Sequence, residues 1–184
     1  SPGMRVVRSP KSYNSQIGVP LSVWQMEPGY QMAIFEAGIS EPEEMTRLQK
    51  IIQPTIGIFS NIGEAHNENF INKQQKTGEK LTLFTKVDTL IFCADHRELR
   101  EVIIKSGILN NIKSFTWSRK EAADLRITST RIVGKGKTKI DALLTGSEIS
   151  IVIPFIDDAS VENAIHCWAV LLLLGVDYAT SAER

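Results

Sequence analysis

The chain has 184 residues, of which 42% are hydrophobic and 23% are charged, and its 21 Lys and Arg balance its 21 Asp and Glu. This size and composition are typical of an ordinary globular domain with a substantial core. The lack of a basic excess argues against a general nucleic-acid binder and against a protein that binds anionic membranes.

The first part of the chain alternates short apolar segments with segments of helical periodicity. We predict strands over residues 5–8, 32–35, 55–59, 89–93 and 114–117. We predict helices over residues 17–26, 40–53, 72–86 and 98–105, the second of them with Ser40 as its N-cap. Segments 32–35, 55–59 and 89–93 are continuously apolar and are expected to be buried. Such alternation predicts a mostly parallel α/β sheet flanked by helices.

The pattern changes after residue 118. Residues 125–154 alternate in polarity, with turn residues at Gly134–Gly136 and Thr145–Ser147, which predicts an antiparallel β meander. A strongly apolar helix over 160–174 follows and ends at Gly175. We therefore expect one domain with three portions, an α/β sheet over 1–118, the meander over 125–154 and a closing helix over 159–175.

Two polar residues follow strands of the predicted parallel sheet. Glu36 comes directly after segment 32–35, and His66 follows segment 55–59 and the turn at Gly63. Ligands of α/β sheets bind where strands run into loops, and a carboxylate with an imidazole there can hold a hydrated divalent cation. Such a cation implies phosphate chemistry. The alternative is that Glu36 and His66 are ordinary surface residues, and the nearby Glu64 points to solvent.

Lys80 lies on the third predicted helix together with Lys73, Lys76 and Lys86, which is the pattern of a solvated basic face. If Lys80 is functional, its side chain would have to turn toward the edge of the sheet where Glu36 and His66 are expected to hold the cation. There it could pair with phosphate, or it could be carbamylated if burial keeps its amine neutral. Of the other histidines, His96 is expected to start a helix and His166 to pack on the last helix.

Residues 134–138 look like the end of a phosphate-binding loop, but that pattern requires Gly where the chain has Arg131. We interpret them as a hairpin turn.

Cys93 and Cys167 lie in apolar runs and are expected to be buried free thiols, as in a reducing cytoplasm. No signal peptide opens the sequence, and its longest apolar run, 169–176, is too short to cross a bilayer.

Taken together, five segments resemble the Mur ligases, the ATP-dependent enzymes that build the peptide of peptidoglycan, and most closely the type that adds D-alanyl-D-alanine. They are SYNSQIGVP at 12–20, AIFEAG at 33–38, QPTIGIFSNIGEAH at 53–66, EKLTLF at 79–84 and ASVENA at 159–164. In their details, these sequence segments also resemble the variety of this ligase that is fused to a PLP-dependent alanine racemase.

The resemblance implies a role for each matched residue. Glu36 and His66 would bind Mg²⁺, Lys80 would be the active-site lysine that several family members carbamylate, Asn163 would approach the adenine of ATP, and Asn14 and Ser15 would face the substrate. The implied small-molecule partners are a UDP-N-acetylmuramoyl tripeptide and D-alanyl-D-alanine. PLP would belong only to a fused racemase domain.

The chain departs from the family pattern in three respects. The phosphate loop would precede residue 1, the ADP-facing domain would follow residue 184, and Ala159–Ser160 replaces the family's His-Asn pair before Asn163. We therefore expect the 184 residues alone to be inactive. Two alternatives stay open, a related amide ligase such as a folylpolyglutamate synthetase and a non-catalytic α/β interaction module.

Overall fold

A computed structural model describes residues 4–63 and 66–176 of the chain. Its strands are β1 Val6–Arg8, β2 Met32–Ile34, β3 Ile56–Phe59, β4 Thr89–Cys93, β5 Lys113–Ser118, β6 Leu125–Ile132, β7 Thr138–Leu144 and β8 Ser147–Ile153. Its α-helices are α1 Gly18–Trp24, α2 Glu44–Ile52, α3 Lys73–Thr82, α4 Arg97–Ser106 and α5 Asp158–Leu173. Short 3₁₀ helices cover Asn67–Asn69 and Ile108–Asn110.

Six strands form one sheet in the order β3-β4-β5-β6-β7-β8. The pairs from β3 to β6 are parallel, and the pairs β6–β7 and β7–β8 are antiparallel. This arrangement confirms the predicted α/β fold class, a mostly parallel sheet flanked by helices that continues into an antiparallel meander. The meander is part of the same sheet because β6 pairs with β5.

The strand β4 explains why the core has two halves. All five of its residues are buried, as in a parallel strand covered on both faces. Leu90 and Phe92 pack into a cluster that includes residues of α1 to α4, whereas Ile91 and Cys93 pack into a cluster with α5 and the meander. Successive side chains of a strand point to opposite faces, so one short apolar run joins both clusters.

The expectation that segment 32–35 forms a buried strand was wrong. In the described part of the chain, β2 pairs only with β1, in parallel, and Ile34 is 53% exposed. A two-stranded pair lacks the neighbouring strands and helices that enclose β4. The apolar run therefore predicted the strand but not its burial.

The start of α2 also differs from the expectation, because Ser40 is not its N-cap. The Glu44 carboxylate accepts hydrogen bonds from the backbone N–H of Ser40 and of Glu41, at 2.6 and 3.0 Å. The helix begins at Glu44, four residues after Ser40, with Glu43 in a left-handed conformation at φ 69°. An acidic side chain in the first turn thus satisfies backbone N–H groups that precede the helix, including that of Ser40 itself.

The meander and α5 extend past the carboxyl edge of the parallel strands. Leu125, the first residue of β6, lies opposite Trp117 near the end of β5, so the rest of β6 continues beyond that edge. Helix α5 follows its N-cap Asp157, whose carboxylate accepts from the Ser160 N–H at 2.8 Å, and returns to pack on β4 and β5. This return brings the first turns of α5 to the edge where β4 ends.

The two cysteines differ in burial. Cys93 is buried and Cys167 is exposed, and both are free thiols, so the expectation of burial holds for Cys93 and is wrong for Cys167. Burial raises the pKa of the Cys93 thiol to about 11. None of the described helices combines the length and apolarity that a membrane span requires.

Candidate functional site

Asn14 and Glu36 are joined directly. The Asn14 side-chain amide donates to Glu36 Oε1 at 2.9 Å, and the Asn14 carbonyl accepts from the Gly38 N–H at 2.7 Å. A Cβ on Gly38 would lie 3.2 Å from Asn14 Cγ, so the close approach of the two loops depends on that glycine. The loop before α1 therefore holds the carboxylate at the end of β2.

Ser15 lies beside Asn14 but has a different structural task. Its hydroxyl accepts from the Gly18 N–H at 3.1 Å and its carbonyl accepts from the Val19 N–H at 3.0 Å. These bonds satisfy backbone donors at the start of α1. Ser15 itself is exposed, so a ligand can reach it.

Lys80 lies in the last turn of α3 and shares an electrostatic environment with Glu36. Its side chain is half-buried, and burial is the main cause that lowers its pKa. The positive charge of Lys76 lowers that pKa further, whereas the Glu36 carboxylate raises it. The charge of Glu36, which Asn14 contacts directly, therefore acts on Lys80.

His66 lies on the segment that follows β3. It precedes the 3₁₀ helix Asn67–Asn69 in a left-handed conformation at φ 61°, and its side chain is 52% exposed. Its Nδ1 is 3.9 Å from a carboxylate oxygen of Glu68, which is a distant contact between exposed groups. His66 is thus accessible to a ligand, and Glu64, the other candidate of this segment, lies outside the described residues.

The segment that carries His66 is attached to two helices. Lys76 of α3 donates from its amine to the Gly63 carbonyl at 2.8 Å and to Asn67 Oδ1 at 2.9 Å. The Asn69 side chain donates to the Ser40 carbonyl at 2.9 Å, before α2. Sequence reasoning missed Lys76, which it assigned to an exposed basic face. The available signal was its spacing of four residues before Lys80, which puts both on one side of α3.

Asn163 is not on the elements that carry Asn14, Glu36 and Lys80. It is exposed on α5, and its neighbour Glu162 lies 3.2 Å from Nε2 of His96. His96 follows β4 and precedes α4, as the sequence predicts. The pair therefore connects α5 to the carboxyl end of β4, and Asn163 belongs to that end of the sheet.

His166 is buried one turn further along α5, where Trp117 donates its indole N–H to His166 Nδ1 at 3.1 Å. Burial, and to a lesser degree the charge of His96, lowers the pKa of His166 to about 4. The imidazole is therefore neutral at pH 7 and packs edge-on against Trp117. This residue has a packing role, as expected.

The donor set constrains the metal that these residues can hold. Among the described residues, no three His, Cys, Asp or Glu side chains are grouped so that they could hold a metal ion by themselves. Glu36 supplies an exposed oxygen and His66 an exposed nitrogen. Mg²⁺ commonly binds one or two protein ligands and completes its shell with water and substrate phosphates. The residue types thus suit a Mg²⁺ that arrives with a phosphate ligand.

A family model described as the Mur ligase middle domain matches residues 1–171. Among similar proteins, the UDP-N-acetylmuramoyl-tripeptide–D-alanyl-D-alanine ligase of Rickettsia prowazekii is 28% identical over 97% of the chain and 40% of its own length. The enzyme of the same name from Borreliella burgdorferi is 30% identical over 89% of the chain and 34% of its own length. The chain therefore spans well under half of the relatives it matches.

Solved structures show the same fold. MurF from Acinetobacter baumannii superposes with a TM-score of 0.85 at 19% identity, over 99% of the chain and 40% of that protein. MurF from Thermotoga maritima, solved in complex with ADP, gives 0.80 at 20% identity over 95% and 40%. The apo form of L. casei FPGS gives a lower score, 0.60, at 12% identity over 76% and 33%.

Proposed function

Because the chain belongs to the Mur ligase middle domain family, we propose that it is the central part of an ATP-dependent ligase that joins D-alanyl-D-alanine to a UDP-N-acetylmuramoyl tripeptide. The observation that carries the proposal is the hydrogen bond from Asn14 to Glu36, whose charge also acts on Lys80. The resemblance to the family pattern assigns these three residues as substrate, metal and active-site residues. The names of the relatives in Rickettsia and Borreliella support the choice of substrates.

The proposed reaction has two steps. The terminal carboxylate of the tripeptide attacks the γ-phosphorus of ATP, which forms an acyl phosphate and releases ADP. The amine of D-alanyl-D-alanine then attacks the acyl carbon and expels inorganic phosphate, and the ammonium proton that it loses passes to solvent or to a base. One peptide bond is formed for each ATP cleaved, so the overall reaction is balanced without another reactant.

In this proposal the protein residues mainly position charge. Glu36 and His66 would hold Mg²⁺, which when bound neutralises phosphate charge. Asn14 keeps the Glu36 carboxylate oriented by its hydrogen bond of 2.9 Å. The T. maritima complex with ADP supports a nucleotide ligand for this fold.

Lys80 is proposed as the active-site lysine. Burial and the charge of Lys76 lower its pKa, which increases the fraction of neutral amine at a given pH. A neutral amine can react with CO₂ to form a carbamate, and a protonated one can pair with phosphate. Its electrostatic interaction with Glu36 suits both the carbamate and the phosphate-pairing role, because each role requires Lys80 to lie close to the bound metal.

The remaining assignments concern binding. Asn14 and Ser15 are proposed to contact the muramoyl peptide, and Asn163 the adenine, since it lies on α5 near the carboxyl end of β4. Both substrates and the nucleotide are small molecules of the cytoplasm, where we propose that the enzyme acts. The fusion to a PLP-dependent racemase stays a prediction, which the absorbance of PLP in the full-length protein would test.

The proposal is tested on the full-length polypeptide by ATP-dependent ligation and by binding of Mg²⁺-ATP. We expect ligation of D-alanyl-D-alanine to a UDP-muramoyl tripeptide, and loss of Mg²⁺-nucleotide binding in His66→Ala and Glu36→Gln. Preference for a folate over the muramoyl peptide would favour the folylpolyglutamate synthetase type. Unchanged nucleotide binding in both variants would favour a non-catalytic module.

A further inference from the structure

Lys76 has an unusual environment for a lysine on a helix of a small domain. It is 2% exposed, although Lys73 on the same helix is exposed, and its amine lies 5.9 Å from the centre of the Phe70 ring. Its hydrogen bonds to the Gly63 carbonyl and to Asn67 Oδ1 both reach the segment after β3. We call the described residues 61–63 and 66–70 the His66 segment.

Burial of a lysine amine is unfavourable unless hydrogen bonds compensate for the lost water. The neighbouring Thr77 and Leu81 of α3 are buried at 1% and 3% exposure, so a methionine or leucine at position 76 would suit the same environment. Apolar packing therefore does not account for a lysine at position 76, and its hydrogen bonds to polar groups do. All the partners named above belong to the His66 segment.

Among its described residues, the His66 segment has little regular structure to keep it in place. Its 3₁₀ helix spans only Asn67–Asn69, and His66 precedes it at a positive φ. The hydrogen bonds from Lys76 attach the segment on both sides of His66, at Gly63 and at Asn67. Because short irregular segments otherwise sample several conformations, these attachments restrict the positions open to His66.

Lys76 also lies one helical turn before Lys80, and its charge acts on Lys80, which in turn senses Glu36. One side chain therefore connects the His66 segment to the helix that carries Lys80. We propose that Lys76 is a positioning residue that holds His66 in place by fastening the His66 segment to α3. The metal-binding consequence rests on the proposed function, whereas the fastening itself does not.

The experiment uses the full-length polypeptide with Lys76→Met, Lys76→Arg and Asn67→Ala. Lys73→Met is the matched control, because it removes a lysine of the same helix whose 2.8 Å ion pair with Glu98 is exposed. Two quantities are measured, the Mg²⁺ concentration that gives half-maximal ligation and the amide hydrogen exchange of residues 66–70 without nucleotide.

We expect Lys76→Met to raise the half-maximal Mg²⁺ concentration about tenfold, as outer partners of metal ligands commonly do, with a smaller change in kcat. Exchange at residues 66–70 should accelerate more than exchange in β4 or α4. Asn67→Ala should shift both quantities in the same direction by less, Lys76→Arg should recover part of the loss, and Lys73→Met should match the parent protein.

The proposal is overturned if Lys76→Met matches Lys73→Met in both measurements. It is also overturned if exchange accelerates equally throughout the domain while the Mg²⁺ dependence is unchanged, since Lys76 would then only stabilise the fold. If Lys76→Met does not fold, the exposed Asn67→Ala decides by the same two measurements. If the parent protein does not ligate, the proposed function fails, and exchange at residues 66–70 still tests the fastening.

Discussion

Trp117 donates its indole N–H to Nδ1 of His166 across 3.1 Å, and thereby joins the end of β5 to the middle of α5. The bond requires an unprotonated Nδ1, and burial of the imidazole lowers its pKa from 6.5 to about 4. Proton binding is therefore disfavoured in the folded protein relative to the unfolded chain. This relationship makes the stability of the domain depend on pH.

The first prediction concerns that dependence. Above about pH 6.5 both states carry neutral His166, whereas at lower pH only the unfolded chain takes up the proton, until the folded pKa near 4 is reached. Stability should therefore fall by about 3 kcal/mol between these pH values on account of this group. Chemical denaturation of the parent protein and of His166→Gln at several pH values measures the difference. Parallel curves for the two proteins would contradict the prediction.

Lys80 should make the domain less stable at neutral pH than it would be with an apolar residue. Its folded pKa is lowered, so the unfolded chain binds its proton more readily, and stability falls as pH decreases through the unfolded pKa of 10.5 toward the folded value. Lys80→Met should therefore raise the free energy of unfolding at pH 7. The same change should reduce ligation by the full-length protein on the order of a hundredfold. A less stable variant that retains ligation would refute both expectations.

Asn14 should influence the substrate through the orientation of Glu36. Asn14→Ala removes the donor that lies 2.9 Å from Glu36 Oε1 and leaves the carboxylate free to rotate. Because the lost hydrogen bond is charge-assisted, we expect KM for the muramoyl peptide or the Mg²⁺ requirement to rise about tenfold in the full-length enzyme. Steady-state kinetics measures both. Asn111→Ala, at an exposed asparagine after the second 3₁₀ helix, is the control and should behave like the parent.

Replacement of glycine by alanine should have opposite effects on the stability of the domain at Gly57 and at Gly78. A Cβ on Gly57 of β3 would lie 2.4 Å from Cδ1 of Phe84, so Gly57→Ala should destabilise the domain by about 1–3 kcal/mol through overpacking. A Cβ on Gly78 of α3 would meet nothing within 4 Å, so Gly78→Ala should stabilise by about 0.5–1 kcal/mol. Thermal or chemical denaturation compares the two variants directly. Equal effects would show that these local environments do not control stability.

The sequence predicted the order of elements well where local pattern is sufficient. Continuous apolar runs identified β3 and β4, alternating polarity identified the meander, and capping residues and periodicity identified the helices within a few residues. The start of α2 was an exception, because the helix begins at Glu44, whose carboxylate accepts from the backbone N–H of Ser40. Such a choice between neighbouring side chains depends on geometry that the periodicity does not contain.

By itself the sequence determined the fold class, the family and the residue types available for phosphate chemistry, because these follow from local patterns and ordered motifs. Only the tertiary structure decided which residues meet. It joined Asn14 to Glu36, set Lys80 in their environment and left Ile34 exposed. It also buried Lys76 and left Lys73 of the same helix exposed, although the sequence pattern grouped both on one basic face. Burial and pairing depend on contacts between segments that are distant in sequence. The periodicity of a segment indicates only which face of its own helix or strand a residue occupies.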